Sequence, residues 1–192
     1  DVSNTILNKN STLDLFTSPA ITDLTINNTV FTELDLSQNS ALVSLTANNT
    51  ALTNLNLESS TALATITLTN NTALSSLNVS NTSLSTLDVS TNTKISELFI
   101  RNNKNLTSID VSENAALVNL NIVDNPLLTA LDVSHNKMLD NLELGGNDGL
   151  TNLDVSNTNL PGINMAYNTS ITDLTISNTI FTELDLSQNS AL

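Results

Sequence analysis

Few side chains in this 192-residue chain could do chemistry, and they are scattered. His135 is the only histidine, and it stands between Ser134 and Asn136. General acid–base catalysis needs a positioned partner and surroundings that shift a pKa toward working pH. A lone histidine in a polar stretch reads as solvated. The chain has no cysteine, which removes thiol nucleophiles, disulfides and thiolate metal sites. Gly145-Gly146 is too short to cradle a phosphate. These features point to a protein that is not an enzyme and needs no cofactor.

Carboxylates are the abundant reactive group: 19 Asp and Glu stand against five Lys and Arg, a formal charge of −14. Phosphate binding requires clustered basic residues that release counterions, so nucleic acid is excluded as a partner. Apolar runs are only a few residues long, too short to insert in a bilayer. Four of the acids recur in the phrase L/I-D-V-S, at Asp88, Asp110, Asp132 and Asp154. Stacked at strand spacing they would lie about 5 Å apart. Calcium wants six to eight oxygens, so this row offers a weak Ca²⁺ site at most. Otherwise it is a solvated consensus bonded to Ser90, Ser112, Ser134 and Ser156. A second feature is Phe99 between Glu97 and Arg101, with Lys94 and Lys104 nearby. An aromatic beside an arginine has the composition of an interface hot spot, which makes Glu97, Phe99 and Arg101 candidate partner contacts.

What positions these residues is a repeat. Apolar-x-apolar triplets begin at Leu13, Leu24, Leu34, Leu45, Leu55, Ile66, Leu77, Leu87, Leu98, Ile109, Leu120, Leu131, Leu142, Leu153, Ile163, Leu174 and Leu184. The steps are 10 or 11 residues. Another apolar residue stands three places before each triplet except Leu13, which has Asn10 there. Period-two alternation is that of a half-buried strand, and too few residues separate triplets to build a helix. The middle residues face outward, including a threonine row at Thr25, Thr46 and Thr67.

An asparagine marks nearly every corner: Asn28, Asn39, Asn49, Asn71, Asn81, Asn92, Asn103, Asn114, Asn125, Asn136, Asn147, Asn157, Asn168, Asn178 and Asn189. It falls four residues after the triplet start in 10-residue units and five after in 11-residue units; Ser18 and Ser60 break the series. An amide both donates and accepts, so the spacing predicts one inward-facing structural ladder through all fifteen. Two units make a coil of 21–22 residues with a short strand on each side. The expected fold is mainly β, a right-handed solenoid with little or no helix.

The motif L-x-x-L-x-L-x-x-N resembles the leucine-rich repeats. The phrases LTSIDVSENAALVNLNIVDN and LTALDVSHNKMLDNLELGGN are similar to the short-repeat class of bacterial surface proteins, including internalin J-like cell-wall or secreted adhesins. Those often carry a buried cysteine ladder. Here the corresponding positions hold Ile26, Ala47, Leu68, Ile122 and Leu144, an aliphatic core.

Residues 21–42 and 171–192 are near-identical, differing only at Asn27/Ser177 and Val30/Ile180. Intervening coils agree only at apolar and Asn positions, so this indicates duplication of a 150-residue, seven-coil block. Residues 1–192 read as a single solenoid segment without a polar cap at either end, a window of a longer array. The resemblance implies an extracellular or cell-surface location, with any export signal outside these residues. The expected function is a structural or adhesive segment (stalk, fibre or surface adhesin) presenting an Asn/Thr/Asp-rich face. Its partners would be a protein or glycan surface, or further copies of itself end to end. The alternative is a recognition module using the acidic row or the Phe99/Arg101 patch.

Overall fold

A computed structural model describes residues 20–192; Asn10, Leu13, Asp14 and Ser18 lie outside them. Twelve strands of three residues follow in chain order: β1 (Asp23–Thr25), β2 (Glu33–Asp35), β3 (Ser44–Thr46), β4 (Asn54–Asn56), β5 (Thr65–Thr67), β6 (Ser76–Asn78), β7 (Glu97–Phe99), β8 (Asn119–Asn121), β9 (Ala130–Asp132), β10 (Asn141–Glu143), β11 (Asn152–Asp154) and β12 (Asp173–Thr175). None of the described residues is helical. Each strand is centred on the first apolar residue of a triplet, which turns inward while its two neighbours are exposed or half-buried, except for the buried Asn121 in β8.

All pairings are parallel, and the apolar centres align. On one side Leu24 pairs with Leu45 and Leu45 with Ile66. On the other, Leu34, Leu55, Leu77, Leu98, Leu120 and Leu142 form one unbroken series through six strands. The inward residues merge into one aliphatic core from Leu24 to Ile171, with Leu42, Leu63, Leu74, Leu120 and Leu150 fully buried. Each such leucine contributes about 1.5–3 kcal/mol of burial. This is a leucine-rich-repeat solenoid.

The corners are of two kinds, and this corrects the single ladder expected from spacing. The inward slot lies five residues after the triplet start in every unit. In the 11-residue units it holds a buried asparagine (Asn39, Asn71, Asn92, Asn103, Asn114, Asn125, Asn136, Asn147, Asn168 and Asn189), except for one that holds the buried Ser60. In the 10-residue units it holds threonine, and Thr29, Thr50, Thr82 and Thr158 are buried there. The asparagines just before them, Asn28, Asn49, Asn81, Asn157 and Asn178, are not inward. They adopt positive φ between 54° and 58°, a left-handed conformation that asparagine tolerates better than most residues.

The extra residue of the longer units lies after the slot, where it closes a second turn. Leu74 N–H donates to Asn71 C=O at 3.1 Å and Leu150 N–H to Asn147 C=O at 2.9 Å. The wider corner takes the longer amide and the tighter corner takes threonine.

Slot side chains bond coil to coil. Asn147 Nδ2 donates to the carbonyls of Ile122 and Leu144, while its Oδ1 accepts the Asn125 N–H at 2.9 Å. Asn71 Oδ1 accepts both the N–H and the hydroxyl of Thr50. Such pairing satisfies backbone groups that no strand partner reaches.

The expected strand on each side of every coil is not formed at Leu87, Ile109, Ile163 or Leu184. At the first two, the residue before the slot is Thr91 or Glu113. Neither takes the left-handed conformation seen at Asn70, Asn102 and Gly146. The corner folds back on itself there, Asn92 N–H donating to Val89 C=O and Asn114 N–H to Val111 C=O, as it also does at Asn39 and Asn136, where the strands nevertheless form. Bonds from the triplet end to the next coil run from Ile26 to Thr46 and Ala47 to Thr67, then resume at Val133 to Asp154. At Ile163 the cause is Pro161. It stands where Val118 and Asp140 each donate an N–H to the preceding coil, and proline has none to give.

Candidate interaction surfaces

The acidic row sits on the outer face of the interrupted side. Asp88, Asp110 and Asp132 are exposed and Asp154 half-exposed. Asp132 and Asp154 are register partners in adjacent strands, whereas Asp88 and Asp110 lie at positions where no strand forms. Each carboxylate is engaged within its own coil: Oδ1 accepts the N–H of the serine two residues on, at 3.0, 2.9, 2.8 and 2.8 Å for Ser90, Ser112, Ser134 and Ser156. The Ser90 hydroxyl also donates to Asp88 at 2.7 Å. That hydroxyl bond, with the backbone bond second, holds the Asp88 carboxyl below the usual carboxylate range. At Asp110 the backbone N–H of Ser112 is the larger cause of the same lowering. The aspartates therefore act first as turn caps. Among the described residues, no group of three or more His, Asp or Glu is placed to hold a metal ion.

Phe99 lies on the outer face of the continuous sheet, between its register partners Asn78 and Asn121. It is half-buried rather than freely exposed. Arg101 is anchored beside it to Asn121, a register partner of Phe99. Its Nε donates to Asn121 Oδ1 at 2.7 Å, which pins the guanidinium along the sheet. Glu97 is also half-buried. Phe99 forms one wall of a shallow groove of about 330 Å³ whose other lining includes Glu33, Asp35, Asn56 and Asn78. The structure thus brings Phe99 together with acids from three coils earlier in the stack. His135 is exposed, with Ser134 Oγ at 3.3 Å from its Nδ1.

A larger concavity than the Phe99 groove was not apparent from sequence. It opens where the six-stranded sheet stops at β10 and residues 161–167 diverge, a cleft of about 890 Å³. Asp124, Asp140, Glu143 and Asp148 line it, together with Tyr167. Tyr167 is 67% exposed, and its ring lies over Gly145, where an added Cβ would come within 3.7 Å of it. Pro161-Gly162, at the start of a strand position, is the sequence signal that marks this opening.

No protein-family model matches the chain, and no curated protein does. Solved structures are similar at low identity. The functional domain of InlJ from Listeria monocytogenes, which includes a cysteine ladder, is 20% identical over 95% of this chain, with a TM-score of 0.25. An internalin, InlF, from Listeria monocytogenes str. 4b F2365 is 19% identical over 93% of the chain, with a TM-score of 0.31. A leucine-rich-repeat protein of Leptospira interrogans is 16% identical over 98%, with a TM-score of 0.25. The chain spans 59% of the first of these and 74% of each of the other two.

Proposed function

We propose that this chain is a non-enzymatic structural or adhesive segment of an extracellular surface protein, a stalk or fibre that presents polar faces to a protein or glycan partner. The observation that carries this reading is the distribution of chemistry along the stack. The aspartates of the acidic row are exposed or half-exposed and bonded within their own turns, while the core is almost wholly aliphatic. A solenoid of this kind stacks one unit many times and offers an extended surface. Catalysis needs convergent, desolvated groups, and neither the acidic row nor His135 supplies them.

A second reading, recognition of a basic segment, draws on the cleft beside β10. Four carboxylates and an exposed tyrosine suit a Lys- or Arg-bearing chain, through charge and cation–π contact. The acidic row and the Phe99 groove with Glu33 and Asp35 would extend the same preference. The weak Ca²⁺ reading of Asp88, Asp110, Asp132 and Asp154 is subordinate, since Oδ1 of each is already engaged by its serine N–H.

One experiment with two arms separates these readings. Intact source cells are treated briefly with protease, and released peptides are identified by mass. Peptides from this chain are expected before lysis; finding them only after lysis overturns the surface location. In the second arm an octalysine peptide is titrated into the protein at 20 and 200 mM salt (illustrative conditions on the order of one Debye regime apart). Salt-weakened binding that falls several-fold in Asp140→Asn/Glu143→Gln supports the cleft. Binding unaffected by that pair leaves only the first reading.

A further inference from the structure

The cleft beside β10 lies in the body of the stack, with a coil on either side of it. On the opposite side of the solenoid the sheet passes this level unbroken, since β11 pairs with both β9 and β12. β10 pairs with β8, but residues 163–165 form no strand against its other edge. That edge is an unfilled strand position inside a solenoid.

The coil before shows which backbone groups such an edge uses. There Ile122 N–H donates to Glu143 C=O at 2.8 Å, Asp124 N–H to Gly145 C=O at 2.9 Å, and Val118 C=O accepts from Asp140 and Asn141. One coil on, the same three places are Leu144 N–H, Gly146 N–H and Asp140 C=O. Among the described residues no backbone partner meets any of them. Pro161 stands where a donor to Asp140 C=O would be, and it has no N–H. We infer that this edge takes an extended Lys- or Arg-rich segment of another protein, added to β10 as a further strand, a mode of binding that rests on the cleft-recognition reading above.

Charge selects the occupant. Asp124, Asp140, Glu143 and Asp148 line the cleft and are exposed. Charges along an edge strand keep like chains from pairing with it, and a second copy of this chain carries −14. A basic segment turns that repulsion into attraction. Tyr167, with its ring over Gly145, offers an aromatic face to a Lys or Arg head group. The cleft of about 890 Å³ has the size of a ligand pocket, roughly 300–1,000 Å³. Side chains of an added strand alternate between the two faces. Those beside Glu143 point outward, and those beside the buried Leu142 and Leu144 point inward. A segment with basic residues at alternate positions and apolar ones between them matches both faces.

The test sets octalysine against octalysine N-methylated at every internal residue, each titrated into the full chain at low salt. Methylation keeps every charge and carbonyl but removes the backbone donors that a strand ladder needs. Octalysine should bind, and the methylated peptide should bind several-fold more weakly. Residue-resolved amide exchange supplies the second readout. Bound octalysine should slow exchange at Leu144 and Gly146 several-fold, while Ile122 and Asp124, already bonded to the next coil, stay unchanged. Equal affinity for the two peptides, or unchanged exchange at Leu144 and Gly146 with octalysine at saturation, overturns strand addition and leaves charge recognition by the cleft standing. Binding of neither peptide overturns both.

Discussion

The corner after Ile100 and the corner after Val111 are neighbours in the chain and serve the same purpose by different means. At the first, Asn102 sits at φ 54° and its N–H reaches across to Val123 C=O at 2.9 Å. At the second, Glu113 takes no left-handed conformation, and Asn114 closes on its own coil through Val111. The first kind ties coil to coil and recurs along the six-stranded sheet at Ser59, Asn81, Asn102 and Asp124. The second closes on its own coil, and all four missing strands fall at such corners, although β2 and β9 form beside the same closure at Asn39 and Asn136. A left-handed residue four places after the triplet start thus adds a backbone bond to the next coil, as at Ser59, Asn81, Asn102 and Asp124.

If that contrast is right, the slot asparagines should differ in worth. Asn147 is bonded through both amide atoms, and its Oδ1 receives the Asn125 N–H. Asn114 donates to Val89 and Asn92, but its buried Oδ1 has no hydrogen-bond partner. The donor that would serve it, the Asn92 N–H, is spent on Val89. Asn147→Ala should cost about 2–3 kcal/mol and Asn114→Ala about half that, since stranding a buried donor costs more than losing an amide already half-used. Urea denaturation of both variants measures the difference. Equal costs would dissolve the distinction between corners.

The left-handed residue itself offers a smaller lever. Asn102→Ala should destabilise by about 1 kcal/mol through backbone strain, and Asn102→Gly should not. Glu113→Ala at the matching position should stay within about 0.5 kcal/mol of the parent. Thermal melts of the three suffice; a comparable loss from Glu113→Ala would mean that both corners store the same strain.

The smallest effect lies in the aspartate caps of the self-closed corners. Hydrogen bonds to Ser112, backbone first, lower the Asp110 pKa in the folded chain. A depressed carboxylate adds stability above its unfolded value, near 4, and that increment is lost as pH falls through the folded value. Asp110 is exposed, so screening limits its worth to about a few tenths of a kcal/mol. Asp110→Ala should melt slightly below the parent at pH 7 and with it at pH 2. Asp110→Asn should match the parent at pH 7, because Asn56, Asn78 and Asn164 cap the same way. A gap between Asp110→Ala and parent that persists at pH 2 would remove the cap as its cause.

Much of this architecture was legible from residue order. The triplets located every strand that formed, because alternating burial leaves an unmistakable period of two. The ten amides of the longer units were correctly read as inward. What spacing alone obscured was the slot. Counting to the asparagine made the distance vary between four and five, whereas counting from the strand makes it constant and puts Thr29, Thr50, Thr82 and Thr158 in line. The threonine after each short-unit asparagine was the available signal. Missing strands were harder to foresee, since LDVS has the same pattern whether its backbone pairs with a neighbour or not; Asp132 lies in a strand and Asp110 does not. The cleft beside β10 required noticing that Pro161 withholds a single N–H.

The position of the optional residue has a consequence for how such a gene can change. Units of 10 and 11 residues differ only between the slot and the next apolar position, downstream of everything that sets strand phase. A copying error that adds or drops one codon there shifts no leucine out of the core and exchanges one turn for another. The same error inside a triplet would turn every following side chain of that strand inside out. Mutational drift in length is thus channelled to one place per half-coil, where the array can gain or lose a residue, and by slippage whole coils, while remaining a solenoid.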